Sequence, residues 1–417
     1  MPSLAGGNAG GQPLGVTLDN IRQVTASLPF HASAILKALT HMEVGALTMT
    51  LPDGKSYRFD SGRPGPDADI TLHNWNPPRR ALLNGSIGMA ESYVDREWDS
   101  SDVTAFLELF SVNYDLGNEL TSPSFIQLII ERFRHWMNTN TKRQSRKNIA
   151  AHYDLGNAFY ALWLDKSMTY SSGIYEQGVN SLEAAQEAKY RSLAERTGIS
   201  DGDTVLEIGC GWGGFAEFAA KHTGARITGL TISKEQFDFA SERIFRAGLS
   251  DRVELKLQDY RDETKAYDKI VSIEMFEAVG EKYWPVYFGK VRDCLKSGGK
   301  AGLQIITIAD KSFDKYRSRP DFIQRYVFPG GMLPSPSILS QLGADQELRE
   351  EAPRIFPQDY ARTLAEWREN FRDAWERIRD LGFDDRFRRV WEFYLHYCEA
   401  GFRSENIDVR QVFFAKP

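Results

Sequence analysis

The chain has 417 residues, 42% hydrophobic and 26% charged, with a formal net charge of −6. This length accommodates two domains with sizeable cores, and the composition is that of a soluble globular protein. The acidic balance speaks against a nucleic-acid partner, no run of about 18 apolar residues offers a transmembrane helix, and the glycine-rich start lacks the basic and apolar segments of a secretory signal.

Residues 1–16 read as a disordered leader. Residues 17–40 predict a helix, with Ile21, Val24, Leu28, Ile35, Leu36 and Leu39 apolar. Residues 44–60 alternate apolar and polar around Pro52-Asp53-Gly54, the pattern of a β-hairpin. A strand at 70–72 and helices broken near Gly85 and Trp98 complete a small α+β domain over 17–118. Residues 119–147 form a helical, basic linker, in which Arg132, Arg134, Lys142, Arg143, Arg146 and Lys147 stand with no acid among them. Such a run suits anionic lipid headgroups and equally a solvated linker. Cys210, Cys294 and Cys398 lie far apart without metal-ligand spacing, which fits a reduced, cytoplasmic compartment and no metal site.

Residues 148–417 change character. An aromatic-dense stretch and an amphipathic helix lead into strands at 205–209, 225–231, 252–257, 268–273 and 300–308, alternating with helices at 214–222, 233–246 and 281–295. This alternation predicts an α/β fold, a doubly wound parallel sheet, closed by a late strand at 407–416. An insertion over 310–400 carries two apolar helical faces. One holds Tyr360, Leu364, Trp367, Phe371 and Ile378, the other Phe387, Val390, Trp391, Tyr394, Leu395 and Cys398. Periodicity leaves them open as core or as the wall of an apolar tunnel.

The sheet is organised around TVLEIGCGWGG, residues 204–214. A buried strand runs into Gly209, Gly211, Gly213 and Gly214, and then a helix opens. Glycines let the backbone approach a ligand closely, and the helix N-terminus suits an anionic group. The form G-x-G-x-G, with Glu207 two residues ahead, resembles the S-adenosylmethionine loop of Rossmann-like methyltransferases. Ligands in such sheets sit beyond the carboxyl ends of the strands. The neighbouring strand ends supply Thr231, Ile232 and Gln236, then Asp259 and Tyr260, then Ile273, Glu274 and Glu277. Glu277 is placed either for a raised pKa or simply to complement a helix dipole.

The segments HYDLGNAFYALWLDKSMTYSSGIY, VLEIGCGWGGFAEFAA, GLTISKEQ, DYRD, MFEAVG, FIQRYVFPGGMLPS and YARTLAEWRENF occur in this order. Together they resemble the cyclopropane fatty acyl phospholipid synthase family, which includes the mycolic acid methyltransferases, over residues 148–417. The N-terminal part resembles the small domain of the longer bacterial members. The resemblance implies a Rossmann-like class I methyltransferase with an acyl-binding helical insertion. It implies methyl transfer from S-adenosylmethionine to a cis double bond of a phospholipid acyl chain.

By the same resemblance, cofactor contacts fall on Tyr170, Ser171, Gly209, Gly211, Gly213, Thr231, Ile232, Gln236, Tyr260 and Ile273. A bicarbonate ion acting as base would meet Ser172, Glu277, Gln304, Ile306 and Tyr360. Ser172 stands for the family's cysteine, Gln304 for a histidine, and Ala278 follows Glu277 where histidine is usual. Aromatic candidates for steadying a cationic chain are Tyr153, Phe159, Tyr170, Tyr175, Tyr326, Phe328 and Tyr360. Proton loss from the new methyl closes a cyclopropane ring; a prior hydride shift gives a methylene branch, which would need a partner reductase. The resemblance places the protein in the cytoplasm, peripherally at the inner face of the membrane. Its partners would be membrane phospholipids, and it admits a homodimer. A lipid-binding protein with a vestigial methyltransferase domain, and a small-molecule N-methyltransferase, are the other readings.

Overall fold

The computed structural model describes residues 12–113, 155–318 and 321–417. Contacts divide the chain into two units: Met1–Glu131 with Phe383–Asn406, and Arg132–Gly382 with Ile407–Pro417. Among the described residues, no helix is long and apolar enough to cross a membrane. The basic residues between 132 and 147, and Tyr153, lie outside the described residues.

The first unit holds a mixed sheet of β1 (Leu14–Val16), β2 (Ala46–Thr50), β3 (Ser56–Asp60), β4 (Asp67–Leu72) and β5 (Trp98–Asp99), in the order β1-β3-β2-β4-β5. β2 and β3 form the expected hairpin. Gly54 turns it at φ +83°, in the left-handed region open to glycine. Leu14–Val16, expected in the leader, instead pairs with Tyr57–Phe59 of β3. The single helix expected over 17–40 is two, α1 (Ile21–Thr25) and α2 (Phe30–Leu39). Pro29 separates them, because it offers no N–H and disfavours helix at Leu28 before it. α3 (Asn76–Val94) breaks at Gly85, as its sequence indicates, and α4 (Val103–Val112) follows. Trp98 is fully buried, and its indole donates to the Met89 carbonyl at 3.0 Å.

In the second unit, after a short helix at Asn157–Tyr160, come α5 (Leu182–Thr197), β6 (Thr204–Ile208), α6 (Gly214–Thr223), β7 (Arg226–Thr231), α7 (Lys234–Arg246), β8 (Val253–Leu257), β9 (Tyr267–Ile273), α8 (Trp284–Cys294) and β10 (Leu295–Ile308). After them come β11 (Arg349–Ile355), α9 (Pro357–Asp373) and the last strand, β12 (Ile407–Ala415), with further helices between. The sheet runs β11-β12-β10-β9-β6-β7-β8. β10, β9, β6, β7 and β8 are parallel, while β12 and β11 close the edge antiparallel. This is the doubly wound sheet that the alternation of elements predicts, and the class I methyltransferase fold that the resemblance implies. Val205, Leu206, Ile270, Val271 and Leu303 have no exposed surface, as strands covered on both faces require.

Two features of the 310–400 stretch differ from a purely helical insertion. β11 reads REEAPRI, too polar for a periodicity signal, and such charges suit an exposed edge. α10 (Asp385–Arg403) belongs to the first unit. There His396 Nδ1 lies 2.6 Å from the Thr104 hydroxyl, and Phe393 packs on Tyr93 with ring centroids 5.4 Å apart. Trp391, Tyr394 and Leu395 are buried.

Candidate active site

The glycine loop takes its shape from backbone sterics. Gly209, Gly211 and Gly213 have φ of +81°, +52° and +81°, angles that other residues rarely adopt. A Cβ on Gly209 would stand 2.6 Å from Met275 Cγ, so the turn fits closely against the end of β9. The Ser272 hydroxyl donates to the Ile208 carbonyl at 2.8 Å and ties the same two strand ends together. At Gly211 a Cβ would meet nothing within 4 Å.

Glu207, on β6, is buried. Loss of solvent pushes its pKa up to about 8, against the nearby Lys189 charge and an Ala216 backbone N–H. Its Oε2 has no partner among the described residues. An open approach at Gly211, a buried acceptor awaiting a donor and a helix N-terminus together fit an amino-acid-bearing nucleotide such as S-adenosylmethionine.

The expected cofactor contacts gather at the carboxyl ends of adjacent strands. Thr231 ends β7, and its hydroxyl donates to Gln236 Oε1 at 3.0 Å. Tyr260 follows β8, edge-on to Tyr287 with centroids 5.4 Å apart. Asp259 beside it is held by Arg261 at 2.6 Å, so its carboxylate serves an ion pair. Ile273 ends β9. Residues 155–175 return to the loop: Trp212 donates its indole N–H to Asn157 at 2.7 Å, and Tyr160 packs on Trp212. Tyr170 sits among Tyr160, Trp163 and Trp367, with Tyr360 against Trp367. Of the other aromatic candidates, Phe159 is wholly buried and Tyr326 is exposed. The Tyr175 ring already faces the Arg362 guanidinium at 3.9 Å.

Beside this wall two carboxylates stand three residues apart. Glu277 Oε1 accepts the Ile306 N–H at 2.6 Å, while Oε2 has no partner among the described residues. Burial, and next the Glu274 charge, push Glu277 up to about 8, against the Ile306 N–H. Glu274 is held differently. Its Oε1 accepts the Ser172 backbone N–H at 2.9 Å and Gln304 Nε2 at 2.8 Å, and its Oε2 accepts the Tyr360 hydroxyl at 2.6 Å. Burial raises its pKa too, opposed by Tyr360, Gln304, Lys189 and the Ser172 N–H.

Lys189 is fully buried and donates to the Ser171 hydroxyl at 2.6 Å. Burial brings it down to about 7, with Glu274, Asp165 and Glu207 opposing. Gln304 is oriented by Gln411, its cross-strand neighbour on β12, whose Nε2 donates to Gln304 Oε1 at 3.1 Å. The Ser172 hydroxyl turns away, to the Gly173 carbonyl at 2.8 Å. Ser172 therefore works through its backbone, where a cysteine would offer the same N–H.

Ser172, Gln304 and Tyr360, expected to hold bicarbonate, all donate to Glu274. The Ile306 N–H donates to Glu277. A free anion does not fit these donors as they stand. The sequence placed Glu274 at the strand end without a role and did not single out Lys189 or Gln411. A carboxylate directly after a buried strand, just ahead of the MFEAVG segment, was the available signal.

Residues 140–412 match the mycolic acid cyclopropane synthetase family. The chain is 40% identical to the tuberculostearic acid methyltransferase UfaA1 of Mycobacterium tuberculosis, over 80% of this chain and 79% of that one. It is 36% identical to the cyclopropane-fatty-acyl-phospholipid synthase of Escherichia coli K12, over 84% and 88% of the two chains. Among solved structures it resembles the mycolic acid cyclopropane synthase CmaA1 complexed with SAH and CTAB. The TM-score is 0.61 at 27% identity, covering 65% of this chain and 98% of that one.

Proposed function

Because the chain belongs to the mycolic acid cyclopropane synthetase family, and so to the S-adenosylmethionine-dependent methyltransferases, we propose that it methylates the cis double bond of unsaturated acyl chains in membrane phospholipids. The observation that carries this reading is the buried carboxylate pair, Glu274 and Glu277, beside the aromatic wall of Tyr170, Trp367 and Tyr360 at the strand ends. When bound, S-adenosylmethionine supplies a sulfonium methyl, reactive enough for an alkene. Gly209, Gly211, Gly213 and Glu207 would hold it, with Tyr170, Ser171, Thr231, Ile232, Gln236, Tyr260 and Ile273 around it.

Methylation leaves the acyl chain cationic. Aromatic faces steady such a cation by about 2 kcal/mol where water is excluded. The chain must then lose a proton, and the carboxylate pair furnishes the base, held by Ser172, Gln304 and Tyr360. Peripheral binding at the inner face of the membrane, through the basic run before residue 148, would present the lipid. A homodimer belongs to the same reading.

A second reading ends in a methylene branch, for a partner reductase to convert to a methyl branch. Gln304 and Ala278, in places where histidine is usual, favour it, as does the likeness to a tuberculostearic acid methyltransferase. Incubation with S-adenosylmethionine and dioleoyl phosphatidylglycerol vesicles, followed by mass spectrometry, tests both. The proposal expects acyl chains heavier by one CH2, and degradation of the product separates ring from branch. Unaltered acyl chains in the presence of bound cofactor would refute it.

A further inference from the structure

We propose that the carboxylate of Glu274 is the base of this reaction, built into the chain in the cradle where an external anion would otherwise sit. The proposal rests on the reading of function above and names the member of the carboxylate pair that takes the proton.

Three donors from three separate elements converge on this side chain. The Ser172 N–H comes from the segment before α5, Gln304 Nε2 from β10 and the Tyr360 hydroxyl from α9. The buried Lys189 ammonium adds a favourable charge. A set of donors this complete is an anion site, and its occupant is covalently part of the protein. The cradle is itself supported: Gln411 orients Gln304, and the Ser192 hydroxyl in turn donates to Gln411 Oε1 at 2.8 Å.

The backbone carries the mark of the same arrangement. Glu274 has φ +48°, in the left-handed region that favours glycine, and its N–H donates to the Gln304 carbonyl at 2.8 Å. A strained non-glycine residue at a strand end beside the cofactor loop is where function is expected to hold strain in place. The next residue, Met275, is the one packed against Gly209, so the carboxylate stands one residue from the cofactor loop. Glu277 is the poorer candidate. Only backbone N–H groups, those of Ile306 and of Glu277 itself, support it, and the charge of Glu274 discourages its ionisation. Two neighbouring carboxylates with such different surroundings divide into an ionised base and a protonated neighbour.

In the step itself, a C–H bond of the transferred methyl breaks and its proton goes to Glu274, leaving a neutral carboxylic acid. The released electron pair closes the ring by a new C–C bond to the cationic carbon. After a hydride shift the same pair forms the C=C of a methylene branch. No further oxidant or reductant is needed, and the proton returns to solvent once product leaves.

The test compares wild type, Glu274→Gln and Glu274→Gly on dioleoyl phosphatidylglycerol vesicles, in carbonate-free buffer and with added bicarbonate or formate. Wild type should turn over equally in both. Glu274→Gln should lose about 10²–10⁴-fold in kcat, as for a positioned general base, with unchanged affinity for S-adenosylmethionine. Glu274→Gly relieves the backbone and opens the cradle, so it should fold, start equally impaired and regain activity with bicarbonate or formate. Independently of turnover, the ¹³C resonance of labelled bicarbonate should broaden with Glu274→Gly and not with wild type. Slowing of wild type in carbonate-free buffer, or a folded Glu274→Gln at near-normal rate, overturns the assignment. A wild type that binds cofactor but methylates no lipid overturns the reading of function, while the bicarbonate resonance still decides whether Glu274 fills the cradle.

Discussion

Glu274 and Glu277 show how neighbouring identical side chains acquire different chemistry from their donors. Tyr360 gives Glu274 one of its three hydrogen bonds, and a hydrogen bond to a charged group is worth about 1.5–3 kcal/mol. Tyr360→Phe removes a donor that favours the ionised form, so the pKa of Glu274 should rise further. Its other charged neighbours, Lys189 and Glu277, stay in place. We expect kcat to fall and the limb of the pH profile that rises with pH to move upward. An unmoved limb would mean that the Tyr360 bond does not act through Glu274.

Glu277 carries a stability signature. Its folded pKa of about 8 lies above the ordinary carboxylate value, so the folded state binds the extra proton. Its contribution is whole below about pH 4.5 and is lost as pH rises toward about 8, amounting to a few kcal/mol on the order of one pKa unit per 1.36 kcal/mol. Glu277→Gln keeps an acceptor for the Ile306 N–H and cannot ionise. Its Tm should therefore gain on wild type as pH rises from 5 to 8, and parallel Tm profiles would contradict this.

At the strand ends, the glycine loop makes two substitutions behave differently. Gly211→Val points a side chain into open space. It costs backbone strain of about 1–2 kcal/mol, and the protein should fold while binding S-adenosylmethionine about tenfold or more weakly. Gly209→Ala pushes instead on Met275, next to Glu274, and should lower kcat as well as affinity. Calorimetric titration beside turnover assays distinguishes them; equal profiles for the two variants would show that the loop and the end of β9 are not linked.

The parallel sheet and the loop were legible in sequence because buried strands, glycine turns and amphipathic helices each leave a local pattern. What depended on register did not. Gln411 meets Gln304 only through the pairing of β12 with β10, and Lys189 reads as a surface residue on a helix until α5 is placed. Glu274 was visible as a residue, but its role required Ser172, 102 residues before it, and Gln304 and Tyr360, 30 and 86 residues after it, to converge. β11 escaped because an edge strand keeps its charges, and the break at Pro29 was a local signal outweighed by the apolar spacing on either side.

On the function proposed above, the chain as a whole brings a water-excluding site to lipid. Arg143, Arg146 and Lys147 belong to the basic run that precedes the methyltransferase unit's described residues. At about 1 kcal/mol per cation near an anionic surface, reversing these three charges should weaken binding to phosphatidylglycerol vesicles about a hundredfold or more. The difference should shrink in high salt as screening grows. Equal sedimentation of both proteins with vesicles at low salt would reduce the run to a linker.

The fate of the methyl hydrogens bears on everything proposed for the site. With S-adenosylmethionine carrying a deuterated methyl and dioleoyl phosphatidylglycerol vesicles, the acyl chain should gain a carbon that keeps two of its three deuterium atoms, the third having gone to the base. An acyl chain or headgroup that keeps all three, or a lipid that gains none, would contradict methylation of the double bond followed by proton loss.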